Sequence, residues 1–278
     1  MTRIMACIIT YNPDIDRLID NLNSIEEQVE CILIVDNNSV NISKIEEISS
    51  KFKNSTILKE NENTGIAGAL HDAMNYAIEK EYDWVLSLDQ DSVCLKDLIS
   101  FYRPFFLDES IGALTCQFKD RNLDNESDFK LKEGTNLVTT CINSGMLMRI
   151  DSYKKIDGYR KDLFIDWVDF DICYQLQEYG LNILRVNKVG LVHEVGSGET
   201  VTIFGRKYHI FNHNAIRNYY MARNSIIVTR RYFGFKMVIR QFLKQGLRIY
   251  LLRYENQRFK KIKARIKGLY DGFFYKLP

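Results

Sequence analysis

Short apolar runs alternate with longer stretches of helical period through the first third of the chain. Ile4 to Thr10, Cys31 to Asp36, Ser55 to Glu60 and Trp84 to Asp89 read as strands, and Ile15 to Glu27, Ile42 to Phe52 and Gly65 to Lys80 as helices. Near-continuous apolar strands separated by amphipathic helices predict an α/β fold, a mostly parallel sheet with helices on both faces. In such sheets ligands gather outside the carboxyl ends of the strands, where strand order reverses.

Polar turns fall at that edge: Thr10-Tyr11-Asn12-Pro13 after the first strand, Asp36-Asn37-Asn38-Ser39 after the second, Asn61 to Gly65 after the third. Asn, Asp, Ser and Gly dominate turns for conformational reasons alone. Their convergence on one edge is what points to a ligand. Asp36 can accept a hydrogen bond from the imide N–H of uracil or thymine, and Gly65 at a helix start allows close backbone approach. No G-x-G-x-x-G or Walker lysine motif is present, which argues against a dinucleotide dehydrogenase or an NTPase.

The fourth strand delivers Leu88-Asp89-Gln90-Asp91-Ser92 to the same edge. Hard oxygen ligands suit Mg2+ or Mn2+, and Mg2+ is usually held by one or two carboxylates plus substrate phosphates. Asp91 is then the metal contact, with Asp89 facing a ribose. The alternative is that Asp91-Ser92 merely starts a helix running through Lys96 to Phe101. After a polar stretch, Lys119 to Thr135, that reads as an exposed loop, Phe164-Ile165-Asp166-Trp167-Val168-Asp169-Phe170-Asp171 sets three carboxylates at the head of a helix stopping near Gly180. Such carboxylates can cap the helix, or one can serve as a general base.

Composition adds two constraints. The six cysteines are scattered without C-x-x-C spacing, as in a reduced, cytosolic protein; no run reaches the ~20 apolar residues of a membrane span, and the start lacks a signal-peptide pattern. The net charge of +2 conceals an asymmetry: residues 230–278 carry 14 Lys or Arg against Glu255 and Asp271. Lys236, Arg240, Lys244 and Arg248 recur every four residues among Phe235, Val238, Ile239, Phe242 and Leu243, the pattern of an amphipathic helix. That extension suits either an anionic membrane surface or a helical subdomain packed on the rest. Nucleic-acid binding is disfavoured, because the acidic remainder of the chain would repel phosphates without a metal.

Taken in order, Thr10-Tyr11-Asn12-Pro13, Val35 to Ser39, Asn63 to Ala67, Leu88 to Ser92, Asn143-Ser144-Gly145, Phe164 to Asp169, His193 to Gly196 and Arg217 to Asn224 resemble the inverting family 2 glycosyltransferases of GT-A fold, in particular their bacterial rhamnosyltransferase-like branch. The resemblance runs from Ile4 to about Arg231. It implies a GT-A domain over 1–229, with a nucleotide-binding half to about 118 and an acceptor-binding half from about 136, and a basic extension over 230–278.

By resemblance, Asp169 deprotonates the acceptor hydroxyl. Thr10, Tyr11, Asn12, Asp36, Asn63, Gly65, Asp89 and Gln90 bind the nucleotide sugar, and Asp91 and His193 hold Mg2+ or Mn2+. Asp166, Trp167, Arg217, Arg223 and Asn224 meet the acceptor or the diphosphate. His193 is otherwise a packed histidine, and the two arginines ordinary helix-surface charge. The implied donor is dTDP-L-rhamnose, with UDP-galactose, UDP-glucose or UDP-galactofuranose as alternatives. The implied acceptor is a saccharide on polyprenyl diphosphate in cell-surface polysaccharide synthesis, reached from the cytoplasmic face of the plasma membrane. Two positions depart from the family pattern: His71 stands where Asn is usual, and Gln175 where Arg is common.

Overall fold

The computed structural model describes residues 2–120, 134–193, 199–203, 206–210 and 212–277. The chain divides into two compact units, one of residues 1–162 with 169–195, the other of 163–168 with 196–278.

The first unit opens as the apolar pattern predicts: β1 (Ile4–Thr10), α1 (Ile15–Ile25), β2 (Cys31–Asp36), α2 (Ile42–Ser49), β3 (Ser55–Lys59), α3 (Gly65–Glu79) and β4 (Trp84–Asp89). It continues with β5 (Val93–Cys94), α4 (Leu98–Tyr102), β6 (Ile111–Asp120), β7 (Thr135–Val138), β8 (Leu147–Arg149), α5 (Ile150–Tyr153), α6 (Val168–Glu178) and β9 (Asn182–His193). Among the described residues these strands form one sheet in the order β3-β2-β1-β4-β8-β6-β9-β5, with β7 also on β9. The β3 to β4 half is parallel and β6 runs parallel to β9, whereas β8, β5 and β7 are antiparallel to their neighbours.

The core runs under the whole sheet, from Ile8 and Ile34 in the parallel half to Leu114, Leu147 and Leu191 in the other. Every residue of β2 is buried, as a strand covered on both faces requires. Helix α1 starts at Asp14, whose Oδ1 accepts the Arg17 N–H at 3.1 Å, and buries Leu18, Leu22 and Ile25. Each such fully buried aliphatic side chain contributes about 1.5–3 kcal/mol. At the other end of β4, Trp84 stacks on Phe106 at 4.9 Å between ring centroids, with the Arg149 guanidinium 4.3 Å from the Trp84 ring.

Two expectations and one of the alternatives need correction. Asp91-Ser92 does not begin a helix: Ser92 Oγ meets Ser144 Oγ at 2.7 Å and the Cys94 N–H donates to Ser24 Oγ at 3.0 Å, so the chain pairs against β9 before α4 begins at Leu98. The stretch Lys119 to Thr135 is not all loop, since β6 runs to Asp120 and β7 starts at Thr135; residues 121–133 between them lie outside the described ones. Asp166 is not in the first turn of α6, because Phe164, Asp166 and Trp167 adopt φ of 60°, 63° and 66°, a left-handed course that keeps the helix from starting before Val168.

The second unit holds the hairpin β10 (Glu199–Ile203) and β11 (Arg206–Ile210) and the helices α7 (Ala215–Tyr232), α8 (Phe235–Leu251) and α9 (Arg258–Phe274). The boundary expected at residue 230 falls inside α7. Gly268 and Gly272 let α9 approach α7 closely: a Cβ on Gly268 would lie 2.3 Å from the Tyr219 carbonyl oxygen, and one on Gly272 2.5 Å from that of Arg223. The interior of this bundle is polar. Buried Arg265 donates through Nε and Nη2 to Asn218 Oδ1 (3.1 and 2.7 Å) and through Nη1 to Gln245 Oε1 (2.6 Å), while Gln245 Nε2 donates to Ser225 Oγ (3.0 Å). Burial lowers the Arg265 pKa to about 10, with Arg248 adding to the effect.

Candidate active site

In the first unit the carboxyl-end loops are tied to one another by short polar contacts. Thr10 Oγ1, fully buried at the end of β1, donates to Asp36 Oδ1 at 2.9 Å, and the Ser39 N–H donates to Asp36 Oδ2 at 2.8 Å. Asp36 is thus a buried carboxylate with one protein donor on each oxygen and further lone pairs remaining. Asn12, at φ 50°, donates its N–H to Ser39 Oγ (2.8 Å) and accepts from the Val40 N–H (2.9 Å). Asn37 Oδ1 takes both the N–H and the hydroxyl of Thr64, at 3.1 and 3.0 Å. Asn63 Oδ1 accepts the N–H of Gly65, whose φ of 73° opens α3 in a conformation that favours glycine.

The acidic motif joins this network. The N–H of Tyr11, a half-exposed side chain, donates to Gln90 Oε1 at 2.9 Å, so the loop after β1 is fastened to the end of β4. The Asp89 N–H donates to Ser144 Oγ at 3.3 Å, and its carbonyl accepts from Asn21 Nδ2 at 2.7 Å and from the Ser92 N–H at 3.1 Å. Asp91, Gln90, Asp14 and Arg17 line a pocket of about 210 Å³. Among the described residues no group of three or more His, Cys, Asp or Glu side chains is arranged to hold a metal. Asp91 with Asp14 offers hard oxygen donors that fit a divalent cation only if phosphate oxygens complete its shell.

A second tether runs from this motif to α6. Cys141 Sγ lies 3.9 Å from Cys173 Sγ, one helical turn beyond Asp169, while Ser144 sits on Asp89 and Ser92. Three residue steps separate Cys141 from Ser144, a reach of at most roughly 11 Å. Asp169 is partly exposed in the first turn of α6, its Oδ1 accepting the Phe170 N–H at 2.9 Å. Asp171 is buried, 3.6 Å from Arg160 Nη1, and accepts from Gln175 Nε2 at 2.8 Å. The two departures from the family pattern meet one dipeptide: Gln175 Nε2 donates to the Gly158 carbonyl at 3.0 Å, and His71 Nδ1 lies 3.2 Å from that of Tyr159. Tyr159 in turn donates its hydroxyl to Asn143 Oδ1 at 3.1 Å.

The remaining sequence-predicted residues belong to the second unit or end β9. Asp166 receives Arg217 Nε at 3.3 Å on both carboxylate oxygens and Nη2 at 3.2 Å; burial raises its pKa although the arginine opposes the shift. Arg223 donates to Asn224 Oδ1 at 2.9 Å and lies over the Tyr275 ring, 5.0 Å from its centroid. Asn224 was expected to meet acceptor or diphosphate, and the structure corrects that: it is fully buried, and its Nδ2 serves the carbonyls of Leu163, Ile165 and Asp166 at 2.7, 2.9 and 3.0 Å. It clamps the left-handed loop that carries Trp167. His193 closes β9 opposite Asp120, and its side chain lies outside the described residues, as do Glu194, Val195 and Gly196.

Sequence reading missed Asn21, Ser39 and Ser92. A polar residue on the otherwise apolar inner face of α1 was the available signal for Asn21. Ser39 and Ser92 sat inside recognised motifs with no cue to their partners.

The sequence profile of Glycosyl transferase family 2 matches residues 5–164, more than half of the chain. A dTDP-rhamnosyl transferase of Shigella flexneri, RfbF, is 26% identical over 244 residues, covering 83% of this chain and 81% of its own length. Among solved structures, TarS residues 1–349 of S. aureus in complex with UDP-GlcNAc superposes with a TM-score of 0.57 at 14% identity, covering 100% of this chain and 94% of that one. GalNAc-T7 with UDP, GalNAc and Mn2+ gives a TM-score of 0.63 at 13% identity over 83% of this chain, which spans 48% of that protein. At these identities the two structures speak to the fold, which is GT-A. The profile match, with the loop network at the carboxyl edge of the parallel strands, shows that the chain belongs to glycosyl transferase family 2 and is a hexosyltransferase.

Proposed function

We propose that this enzyme transfers L-rhamnose from dTDP-L-rhamnose to a hydroxyl of a saccharide carried on polyprenyl diphosphate, with inversion, at the cytoplasmic face of the plasma membrane. The observation that carries the reading is the set of tethers joining the ends of β1, β2 and β4 and the start of α3, extended through Cys141 to Ser144 toward the helix of Asp169. Donor choice follows the dTDP-rhamnosyl transferase of S. flexneri, whose similarity extends over most of both chains.

In this reading Asp36 accepts the thymine imide N–H with its remaining lone pairs, Asn63 and Gly65 close on the nucleotide, and Asp89 meets the ribose. Asp169 takes the proton of the acceptor hydroxyl; the hydroxyl oxygen bonds to the anomeric carbon as the bond from that carbon to the diphosphate breaks, and dTDP departs with the electron pair. Asp91, with Asp14 and His193 as further candidates, would hold Mg2+ or Mn2+, which when bound offsets charge on the leaving diphosphate. Arg217 neutralises Asp166 beside Trp167, keeping the acceptor side of the loop in place.

Incubation with dTDP-rhamnose and with UDP-galactose, UDP-glucose and UDP-galactofuranose, in the presence of Mg2+ or Mn2+, tests the donor: turnover of a UDP-sugar in preference to dTDP-rhamnose refutes it. Asp169→Asn is expected to lose transfer by about 10²–10⁴-fold while retaining donor affinity, the scale of a removed general base. Asp91→Ala is expected to lose metal-dependent donor binding. An Asp169→Asn enzyme with undiminished turnover ends the assignment of the base.

A further inference from the structure

Helices α8 and α9 are inside out. On α8 the buried positions include Gln241 and Gln245, whereas Phe235, Ile239, Leu243 and Leu247 point to solvent, Phe235 and Leu243 each 72% exposed. On α9 the buried positions are Lys261, Arg265, Gly268 and Gly272, and Phe259, Ile266, Tyr270 and Phe274 are exposed. The cause lies in the interior. Gln245 must face Arg265 and Ser225 to satisfy a buried guanidinium, and the two glycines must face α7, so the apolar stripes are turned outward.

An exposed apolar line with i, i+4 spacing normally faces a core. Here it is flanked along the same helix by exposed Lys236, Arg240, Lys244 and Arg248, and α8 contains no acidic residue at all. The next carboxylate, Glu255, is spent on Lys261 at 2.8 Å. A second copy of this chain would set the same cations against each other. A surface that is apolar below and anionic above fits both features at once.

We infer that the outward face of α8 docks on an anionic lipid bilayer. Phe235, Ile239, Leu243 and Leu247 enter the acyl boundary, and the four cations lie at headgroup level. The face of α9 that carries Phe259, Ile266 and Tyr270 has the same composition, with Lys260, Lys263 and Lys267 exposed beside it. The inference is independent of which sugar the enzyme moves.

Flotation of the full chain with vesicles of phosphatidylcholine containing phosphatidylglycerol, against pure phosphatidylcholine, is the test. Binding is expected to the anionic vesicles alone and to weaken with salt. F235E with L243E is expected to reduce it at least tenfold at unchanged melting temperature, since both side chains are largely exposed. K236Q, R240Q and K244Q together are expected to reduce it roughly a hundredfold, about fivefold per charge. K51Q with K53Q, exposed cations of the first unit, are expected to leave it unchanged. The inference is overturned if the wild type fails to float, if the Lys51 and Lys53 pair matters as much as the α8 cations, or if F235E with L243E instead dissociates a dimer in sedimentation.

Discussion

Replacing Asn224 with Ala removes the clamp on residues 163–166 and also the hydrogen bond that Asn224 Oδ1 accepts from Arg223 at 2.9 Å. The amide carries two hydrogens and has three carbonyls within 2.7–3.0 Å, so at least one hydrogen is shared and the substitution deletes the equivalent of two full hydrogen bonds to the loop besides the one from Arg223. A buried acceptor left without a donor costs about 1–3 kcal/mol. The Leu163 carbonyl keeps the Ile165 N–H at 2.7 Å, so the two carbonyls of Ile165 and Asp166 set a gross loss of about 2–6 kcal/mol. Relaxation of the loop offsets part of it, because Phe164, Asp166 and Trp167 each sit in the left-handed region, at roughly 1–2 kcal/mol apiece. A net destabilisation of about 2–3 kcal/mol is expected. Asn224→Asp is expected to be at least as damaging, because it turns a carboxylate toward three carbonyl oxygens.

The measurement is urea unfolding with two probes, far-ultraviolet circular dichroism and Trp167 emission in a Trp84→Phe background, which isolates the loop from the only other tryptophan. The loop probe is expected to shift at lower urea than the global signal. Turnover is expected to fall further than donor affinity, since the relaxed segment leads directly into α6 and Asp169. A stability change below about 0.5 kcal/mol together with a raised donor KM would falsify the clamp and restore Asn224 to a ligand-contacting role; the threshold is the usual scatter for harmless substitutions.

Other expectations follow from single contacts. Gly268→Ala places a methyl 2.3 Å from the Tyr219 carbonyl oxygen, so a loss of about 1–3 kcal/mol from forcing α9 off α7 outweighs the gain in helix propensity; Gly246→Ala, with nothing within 4 Å, is expected to raise the melting temperature. Asp36→Asn keeps one oxygen for the Ser39 N–H and turns its amide toward Thr10 Oγ1, which can accept, so stability is expected within about 1 kcal/mol of wild type. Titration calorimetry is then expected to show donor affinity down more than tenfold; unchanged affinity refutes the base contact. His213 is held down to about 4 by burial and by Arg217 and Arg265, against an ordinary 6.5. The folded state therefore binds fewer protons than the unfolded one between those values, and stability is expected to fall as pH drops from 6.5 toward 4. His213→Gln is expected to flatten that limb in melting curves taken against pH.

The parallel half of the sheet was legible because β1, β2 and β4 are buried on both faces and its helices on one, with only the edge strand β3 partly exposed. Those two periods differ enough to mark β1 through β4 almost to the residue. Where burial is uneven the pattern fails. Strand β5 is only Val93–Cys94, set by Ser92 on Ser144 and Cys94 on Ser24, contacts between residues far apart in sequence. The left-handed run before α6 was hidden for a related reason, because Phe164 and Trp167 are not residues that announce positive φ. At the site, residue types and loop positions could be read, but partners could not. Asp36 was visible as an acid at a strand end, and its dependence on Thr10 and Ser39 was not.

The C-terminal helices carry the lesson furthest. Periodicity identifies a stripe of Phe, Ile and Leu on α8 but says nothing about which way it faces, and hydrophobic burial alone would turn it inward. What reverses the choice is one guanidinium. Arg265, nearly sealed from solvent, needs acceptors, and Asn218 and Gln245 supply them only if α7 and α8 present their amides to it. Leaving a buried charge without partners costs about 3–5 kcal/mol, the scale of exposing two apolar side chains at about 1.5–3 kcal/mol each, so the polar network is large enough, together with the glycine contacts to α7, to set the rotation of the helix. Arg265→Leu removes that constraint. With Gln245→Leu beside it, the bundle gains an apolar interior, and melting temperature is expected to rise or hold relative to the single variant, while α8 becomes free to rotate its stripe inward and the exposed apolar surface, read by dye binding, decreases. A double variant whose surface hydrophobicity matches the wild type would mean that the glycine contacts with α7, and not the guanidinium, orient these helices.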